Sequence, residues 1–349
     1  MPAHDSPAVA ATTSADSSLP GVRAARLDNY QLFAAHGDDV INFLHGQLTN
    51  DVKTLGDDQA RLAGYCTPKG RLLATLVYWR AHVSVGAGAE PPSPLDGKPA
   101  VFGFMRQSVA EAVVKRLRMF VMRAKVTFDV PDGTLHGVWC TPDHLRSLCG
   151  AAGADLPQQP WHKVDLPSGT WICAPHDAGT LRWWWLRPID SNGVPAKTVH
   201  ALDGLIQPAS PQTWHHGELA QGLPWIEDAT QDLFIPQTVN LDLIQGVNFT
   251  KGCYPGQEIV ARSHYLGKVK RRMALAAIDG EARVAPATDV FAAHAEGEPA
   301  GRVVDAAFDG TTTHVLLETT LNAMSEPALH LGAPDGPALV FKPLPYPLA

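Results

Sequence analysis

The residues best suited to chemistry lie at positions 248–272, in the sequence NFTKGCYPGQEIVARSHYLGKVKRR. Lys251 stands two residues before Cys253, and Glu258 follows in the predicted first turn of a helix that Pro255 would open. A thiol just outside a helix N-terminus and near an ammonium is favoured as the thiolate. The segment therefore predicts a reactive cysteine. In the alternative interpretation, a tight turn caps the helix and Cys253 is a small buried filler.

The motif KGCYPGQE followed by AR resembles the K-G-C-Y-x-G-Q-E signature of the YgfZ family. These are folate-binding proteins related to the aminomethyltransferase, or T protein, of glycine cleavage. The resemblance covers roughly residues 27–349, and its other matches follow in family order: FLHGQLTNDV at 43–52, GYCTPKGRLL at 64–73, FIPQTVNL at 234–241 and KPLPYPL at 342–348. It implies an α+β fold in which a T-protein/YgfZ-type folate-binding module, with ferredoxin-like pieces, precedes a small C-terminal β-barrel.

The resemblance also implies a function. The implied function is similar to that of tetrahydrofolate-dependent accessory proteins that maintain iron-sulfur enzymes, including enzymes that modify tRNA. The expected partners are iron-sulfur client enzymes or cluster-assembly proteins. Cys253 is the expected reactive group, with Lys251 favouring its thiolate and Glu258 and Arg262 holding the loop. The thiol would act as a nucleophile or as a transient cluster ligand, because a stable cluster requires about four thiolates.

Five residues are implied to contact tetrahydrofolate or a reduced derivative of it. Tyr30 and Trp214 match aromatic positions of the family, and flat, partly polar rings such as pterin stack well on aromatic faces. Asn50, Asp51 and Gln257 are expected to add polar contacts. On sequence pattern alone, the two aromatic residues could equally be core residues, and Asn50 and Asp51 could equally form a plain helix exit.

Two departures from the family bear on activity. Ala74 and Thr75 stand where the T protein has an acidic pair, so no carboxylate is available there for general acid–base catalysis. Ala220 stands where the family has a pterin-facing glutamate, and Glu218 is expected to point elsewhere, because two helical positions rotate a side chain by about 200°. Weak folate binding is therefore expected. The alternative functions are an aminomethyl or methyl transferase and a non-catalytic folate-binding scaffold.

Composition limits the other classes of function. The chain has 349 residues and a net charge of −7, which disfavours stable binding to nucleic acid. No run approaches the roughly 18 apolar residues of a membrane span. The five cysteines form no C-x-x-C pair and no Cys/His cluster at zinc-finger spacing, so no metal site is expected. The odd cysteine count and the lack of a secretory segment predict a cytoplasmic protein.

The chain is expected to divide into a disordered tail at 1–24, an α+β folate-binding module at 25–266 and a β-barrel at 267–349. The module is predicted to contain a flexible insertion at 84–99 and a tryptophan triplet, Trp183 to Trp185, buried in a covered sheet. Its predicted helices lie at 40–48, at 108–121 behind a Ser108/Glu111 capping box, at 196–206 and after Ser210. Between 126 and 186 only strands and loops are predicted. Six strands are predicted within residues 271–343.

Overall fold

The protein was analysed as a computed structural model, which describes residues 21–81, 98–189, 199–265, 267, 269–293 and 298–348. The described strands are β1 (Val22–Arg26), β2 (Tyr30–His36), β3 (Ala60–Cys66), β4 (Leu72–Ala81), β5 (Ala100–Arg106), β6 (Thr127–Asp129), β7 (Thr134–Cys140), β8 (Lys163–Leu166), β9 (Gly169–Cys173), β10 (Leu181–Arg187), β11 (Ile206–Pro208), β12 (Arg271–Asp279), β13 (Asp289–Ala292), β14 (Gly301–Phe308), β15 (Thr312–Thr320), β16 (Leu329–Leu331) and β17 (Ala338–Lys342). The described α-helices are α1 (Val40–His45), α2 (Gln107–Val121), α3 (Leu145–Ala152), α4 (His200–Leu205), α5 (Pro211–Ala220) and α6 (Gln257–Tyr265).

These strands form three β units. A six-stranded sheet has the order β11-β1-β7-β10-β9-β8, and a five-stranded sheet has the order β3-β4-β5-β2-β6. The third unit is a closed barrel in the order β12-β15-β14-β13-β16-β17. The strand pairs are antiparallel except for β1 with β11, which are parallel. The α+β class and the C-terminal barrel are confirmed, and all six predicted barrel strands are present.

The tryptophan triplet lies on β10 and is fully buried, as predicted. Trp183 and Trp185 pack in the core behind one face of the six-stranded sheet, whereas Trp184 packs in the central core on the other face. Side chains alternate between the two faces of a strand, so a strand covered on both sides can bury three consecutive indoles. Trp184 is thereby directed toward α5 and the five-stranded sheet.

Helix α5 begins and ends as its sequence predicts. The Ser210 hydroxyl accepts a hydrogen bond from the backbone N–H of Gln212 at 3.2 Å, and Pro211 occupies the first helical position. Gly222 adopts a φ of +64° just beyond the helix end, a conformation that glycine adopts at little cost. The resulting helix packs against barrel strands β14 and β15.

Other boundaries differ from the predictions. Helix α2 begins at Gln107, before Ser108, and no side chain caps it, so the predicted capping box is wrong. Phe120, predicted to face inward, is 45 % exposed near the end of this helix. The segment predicted to be strands and loops contains α3. Its eight residues include Gly150, and an apolar pattern this short is compatible with either a helix or a strand.

Two of the predicted domain limits can be compared with the positions of strands. Strand β1 begins at Val22, inside the stretch assigned to the tail, and pairs with β7 along its whole length. The first barrel strand begins at Arg271, after the proposed boundary. Residues 1–20, most of the predicted insertion and the start of the helix predicted at 196–206 lie outside the described residues. Among the helices that the structure does describe, none has the length and apolar character needed to cross a membrane.

Candidate ligand cleft and cysteine loop

The loop that carries Cys253 is fixed by backbone turns. The Asn248 side-chain oxygen accepts hydrogen bonds from the N–H groups of Thr250 and Lys251, both at 2.9 Å. Gly256 has a φ of +82° and packs so closely on Gly70 that an added Cβ would lie 2.5 Å from the Gly70 Cα. Helix α6 begins only after this contact. Pro255 therefore lies in the preceding turn, and its predicted place at the first helical position is corrected.

Lys251 fastens this loop to the end of α1. Its Nζ donates hydrogen bonds to the carbonyl oxygens of His45 at 2.5 Å and Leu48 at 2.9 Å, and it lies 4.6 Å from the centre of the Tyr254 ring. Burial lowers the pKa of Lys251 to about 8, against the opposing charges of Asp51 and Cys253. The Lys251 ammonium thus anchors the loop to the end of α1, and its interaction with Cys253 is electrostatic.

Cys253 is exposed, whereas the other four cysteines are buried or half-buried in the described structure: Cys66, Cys140, Cys149 and Cys173. Burial raises the pKa of the Cys140 and Cys173 thiols to about 12. Solvent access therefore separates Cys253 from the rest. Its alternative interpretation as a buried filler is wrong.

The other residues predicted to hold the loop act differently. Glu258 and Arg262 are exposed on α6, and their side chains form no hydrogen bond or ion pair with any residue that the structure describes. The Gln257 side-chain nitrogen lies 3.5 Å from the Lys251 carbonyl oxygen, at the limit of a hydrogen bond. The loop is held by Asn248 and Lys251 instead, because Asn248 bonds the backbone of the loop itself and Lys251 bonds buried carbonyl groups at the end of α1.

Asn50 and Asp51 lie at the exit of α1, next to the Lys251 anchor. The Asn50 side chain donates to the carbonyl oxygens of Leu62 at 2.8 Å and Gln245 at 2.7 Å, which joins β3 to the segment before the cysteine loop. Asp51 accepts hydrogen bonds from the N–H groups of residues 53 and 54. Although burial raises the pKa of Asp51, these bonds hold it below its ordinary value.

A cleft of about 650 Å³ lies beside this assembly. Its aromatic lining comes from Trp161, Phe249, His264 and Tyr265, and Asn50 is among its polar residues. The Phe249 and His264 rings stack with their centres 3.7 Å apart. The remaining polar lining includes a cation, a carboxylate and an amide: Arg61, Asp242 and Gln245. This combination of flat apolar faces and a few polar groups suits a heteroaromatic ligand.

Trp161 is a lining residue that the sequence analysis missed. Its φ of +71° is unusual for a bulky residue, and such strain persists only where surrounding contacts impose it. Backbone hydrogen bonds of 2.8 Å to Cys173 and Ala60 fix the residue in place. Its ring stacks on Trp184 with centres 5.7 Å apart. The only local signal was the preceding Pro160, which marks a loop but no ligand contact.

Behind the Trp161 ring lies a buried polar network around Glu218. The Tyr30 hydroxyl donates to Glu218 Oε2 at 2.6 Å, and the Trp184 indole N–H donates to Oε1 at 3.2 Å. Burial raises the pKa of Tyr30 well above its ordinary value. Glu218 is fully buried, and the expectation that it points elsewhere is corrected. It lies four residues after Trp214, so both side chains share one face of α5.

Tyr30 and Trp214 belong to the same central core, and cations pack on both rings. The Arg106 guanidinium lies 4.5 Å from the Tyr30 ring centre, and the Arg182 guanidinium lies 4.0 Å from that of Trp214. Gly137 lies against the Trp214 ring, because an added Cβ would come within 2.1 Å of it. The structure thus places both aromatics in one core, where Tyr30 bonds Glu218 and Trp214 contacts the Trp184 ring, and neither residue lines the cleft.

The positions of the missing acidic pair are also buried. Ala74 and Thr75 lie on β4, and the Thr75 hydroxyl accepts a hydrogen bond from the N–H of Ile226 at 3.0 Å. Their strand partners on β3 are Tyr65 and Gly64. The Thr75 hydroxyl is thus engaged in a hydrogen bond with the backbone, and neither position supplies a carboxylate.

The fold is that of the glycine-cleavage aminomethyltransferases. The crystal structure of the glycine cleavage system aminomethyltransferase T from Bartonella henselae matches with a TM-score of 0.67 over 93% of this chain and 86% of that chain, at 15% sequence identity. Among sequence relatives, the tRNA-modifying protein YgfZ of Klebsiella pneumoniae (strain 342) is 30% identical over 331 residues, covering 92% of both chains. That of Sodalis glossinidius is 28% identical over 330 residues, with the same coverage. No protein-family model matches the chain. The chain belongs to the YgfZ family.

The buried ammonium of Lys251 predicts a pH-dependent stability difference. Its folded pKa of about 8 lies below the ordinary 10.5, so between these values the unfolded chain binds more protons and stability rises with pH. Relative to a Lys251→Met variant, the wild-type protein should therefore gain unfolding free energy as pH increases through this window. Urea unfolding of both proteins at several pH values measures the difference. A difference that stays constant with pH would contradict the assignment.

Proposed function

We propose that this protein binds a reduced folate and supports iron-sulfur enzymes of tRNA modification through Cys253. The observation that carries the proposal is an exposed thiol on an anchored loop, next to an aromatic-lined cleft. The two reported sequence relatives carry the name tRNA-modifying protein, which supports the same process. Iron-sulfur client enzymes or cluster-assembly proteins are the proposed partners. Free, unpaired cysteines fit the reducing cytoplasm, where we place the protein.

The proposed folate site is the cleft, with the pterin ring stacked on Trp161. Its volume of about 650 Å³ is ordinary for a small-molecule site. Arg61 would provide a cation for the carboxylates of the folate tail. Asn50 would provide a polar contact at the wall, while Asp51 and Gln257 would maintain the segments that form it. A bound reduced folate would supply a carrier of one-carbon groups.

Tyr30 and Trp214 would support this site from behind. Direct stacking of folate on these rings would require Arg106 and Arg182 to leave them. Their proposed role is to hold Trp184, and through it Trp161. Tyr30 would do so through the Glu218 hydrogen bonds, and Trp214 through its ring contact with Trp184.

Cys253 is the proposed reactive group, as a nucleophile or as a transient cluster ligand. Lys251 would position the loop that presents it, and the exposed Glu258 and Arg262 beside it would contact a partner protein. An aminomethyl or methyl transferase is less well supported, because Ala74 and Thr75 offer no acid or base. A non-catalytic folate-binding scaffold would need the cleft but not the thiol. Folate binding and dependence on the thiol separate these functions.

The first experiment measures folate binding. Isothermal titration of the full chain with 5-formyltetrahydrofolate should give saturable binding that Trp161→Leu weakens about five- to tenfold, because loss of aromatic stacking costs about 1–1.5 kcal/mol. The matched control is Phe120→Leu, which alters an exposed aromatic residue on α2 and should leave the affinity unchanged. Absence of saturable binding by the wild-type protein at millimolar ligand would reject the folate assignment.

The second experiment tests the thiol. In cells from which the gene for this protein has been deleted, Cys253→Ala should fail to restore the modified tRNA nucleosides that the wild-type gene restores, as measured by mass spectrometry. Cys149→Ala, which removes a half-buried thiol elsewhere, should restore them as well as the wild-type protein does. Full rescue by Cys253→Ala, with normal folate binding, would reject the reactive cysteine and leave the scaffold function.

A further inference from the structure

Two histidines and an aspartate meet on the side of α5 that packs against the barrel. His216 belongs to α5, Asp309 lies in the turn between β14 and β15, and His314 belongs to β15. The nearest ring nitrogens lie 3.9 Å (His216) and 3.0 Å (His314) from Asp309 Oδ2. One potential ligand atom from each residue lies within 4.8 Å of the other two. The cluster is apart from the cleft and the cysteine loop, and the proposed function does not use it.

The carboxylate of Asp309 is oriented by its own turn. Its Oδ1 accepts hydrogen bonds of 2.8 Å from the backbone N–H groups of Thr311 and Thr312 and from the Thr311 hydroxyl. These bonds fix the side chain and leave Oδ2 directed at the imidazoles of His216 and His314. A rigid hairpin turn thus presents one oxygen to two nitrogens, and such preorganisation favours ligand binding.

The two imidazoles complete a recognisable donor set. Their ring centres are 4.4 Å apart, and the side chains of all three residues are about one-fifth to one-quarter exposed, so a solvent ion can reach them. His216 Nε2 is buried and has no hydrogen-bond partner in the described structure. Two imidazole nitrogens and one carboxylate oxygen are common protein ligands of Zn²⁺. With metal–ligand distances of about 2.0–2.2 Å, tetrahedral ligands lie about 3.3–3.6 Å apart, between the two observed separations.

We propose that His216, Asp309 and His314 bind a divalent transition-metal ion, with Zn²⁺ the best match, and that water occupies the remaining position. The ion would join α5 to the β14–β15 hairpin. Because α5 also carries Trp214 and Glu218, the metal would brace the helix that orients the central network. His216 lies about a hundred residues before Asp309 and His314, so no local spacing motif indicates the site.

The test uses the full chain after removal of metal with a chelator. Isothermal titration with Zn²⁺ should give one equivalent of saturable binding, and Co²⁺ should develop the visible absorption of a tetrahedral site. Zn²⁺ should also raise the melting temperature, because it binds the folded state preferentially. His216→Ala and Asp309→Asn should each weaken Zn²⁺ binding at least tenfold. Asn at position 309 can still accept the turn hydrogen bonds, so this variant is expected to fold.

The matched control is His200→Ala, which removes an exposed histidine at the start of α4 and should leave Zn²⁺ binding unchanged. Cys253→Ala tests whether the exposed thiol is the metal ligand instead. The proposal is overturned if the metal-free wild-type protein binds no Zn²⁺. It is equally overturned if His216→Ala and Asp309→Asn bind normally, or if binding depends on Cys253. Loss of folate binding or of tRNA modification in other variants would not affect these outcomes, because the readout is metal binding.

Discussion

The burial of Glu218 is the constraint on which the arrangement of the three β units depends. A fully buried carboxylate is costly unless it is hydrogen-bonded and near opposite charge. Tyr30 from the five-stranded sheet and Trp184 from the six-stranded sheet provide the two hydrogen bonds. Arg106 and Arg182 provide the charge, and Arg106 also pairs with the buried Asp305 of the barrel at 3.3 Å. Two buried cations and two buried anions therefore join all three units at the centre of the molecule.

This arrangement bears on the proposed folate site. The central rings are already in contact with guanidinium groups, so they act as supporting structure rather than as an open surface. The aromatic contacts continue outward from Trp214 through Trp184 to Trp161, which reaches the cleft. The cysteine loop adjoins the same cleft, because Phe249 and Thr250 line it and Lys251 follows directly. The segment that lines the cleft therefore leads directly into the loop that presents the exposed thiol.

Local patterns predicted much of this structure. Turn residues at regular intervals predicted the barrel, Ser210 and Pro211 predicted the start of α5, and alternation predicted the burial of Trp183–Trp185. The KGCYPGQE motif predicted the family. The features that were not predicted depend on tertiary contacts. Neither the bonds from Lys251 to carbonyls two hundred residues away nor the stacking of Trp161 leaves a local pattern. Glu218 was misjudged because its orientation was inferred from Ala220 rather than from Trp214, one turn before it.

A double-mutant cycle at the centre tests the account most directly. Tyr30→Phe removes the hydroxyl that donates to the Glu218 carboxylate, and Glu218→Gln removes the charge that strengthens the bond. Unfolding free energies of the wild-type protein, both single variants and the double variant give the coupling between the two side chains. Because Gln can still accept a neutral hydrogen bond from the Tyr30 hydroxyl, we expect a coupling of about 1 kcal/mol, the difference between a charge-assisted and a neutral hydrogen bond. A coupling near zero would contradict the claim that this interaction organises the structure.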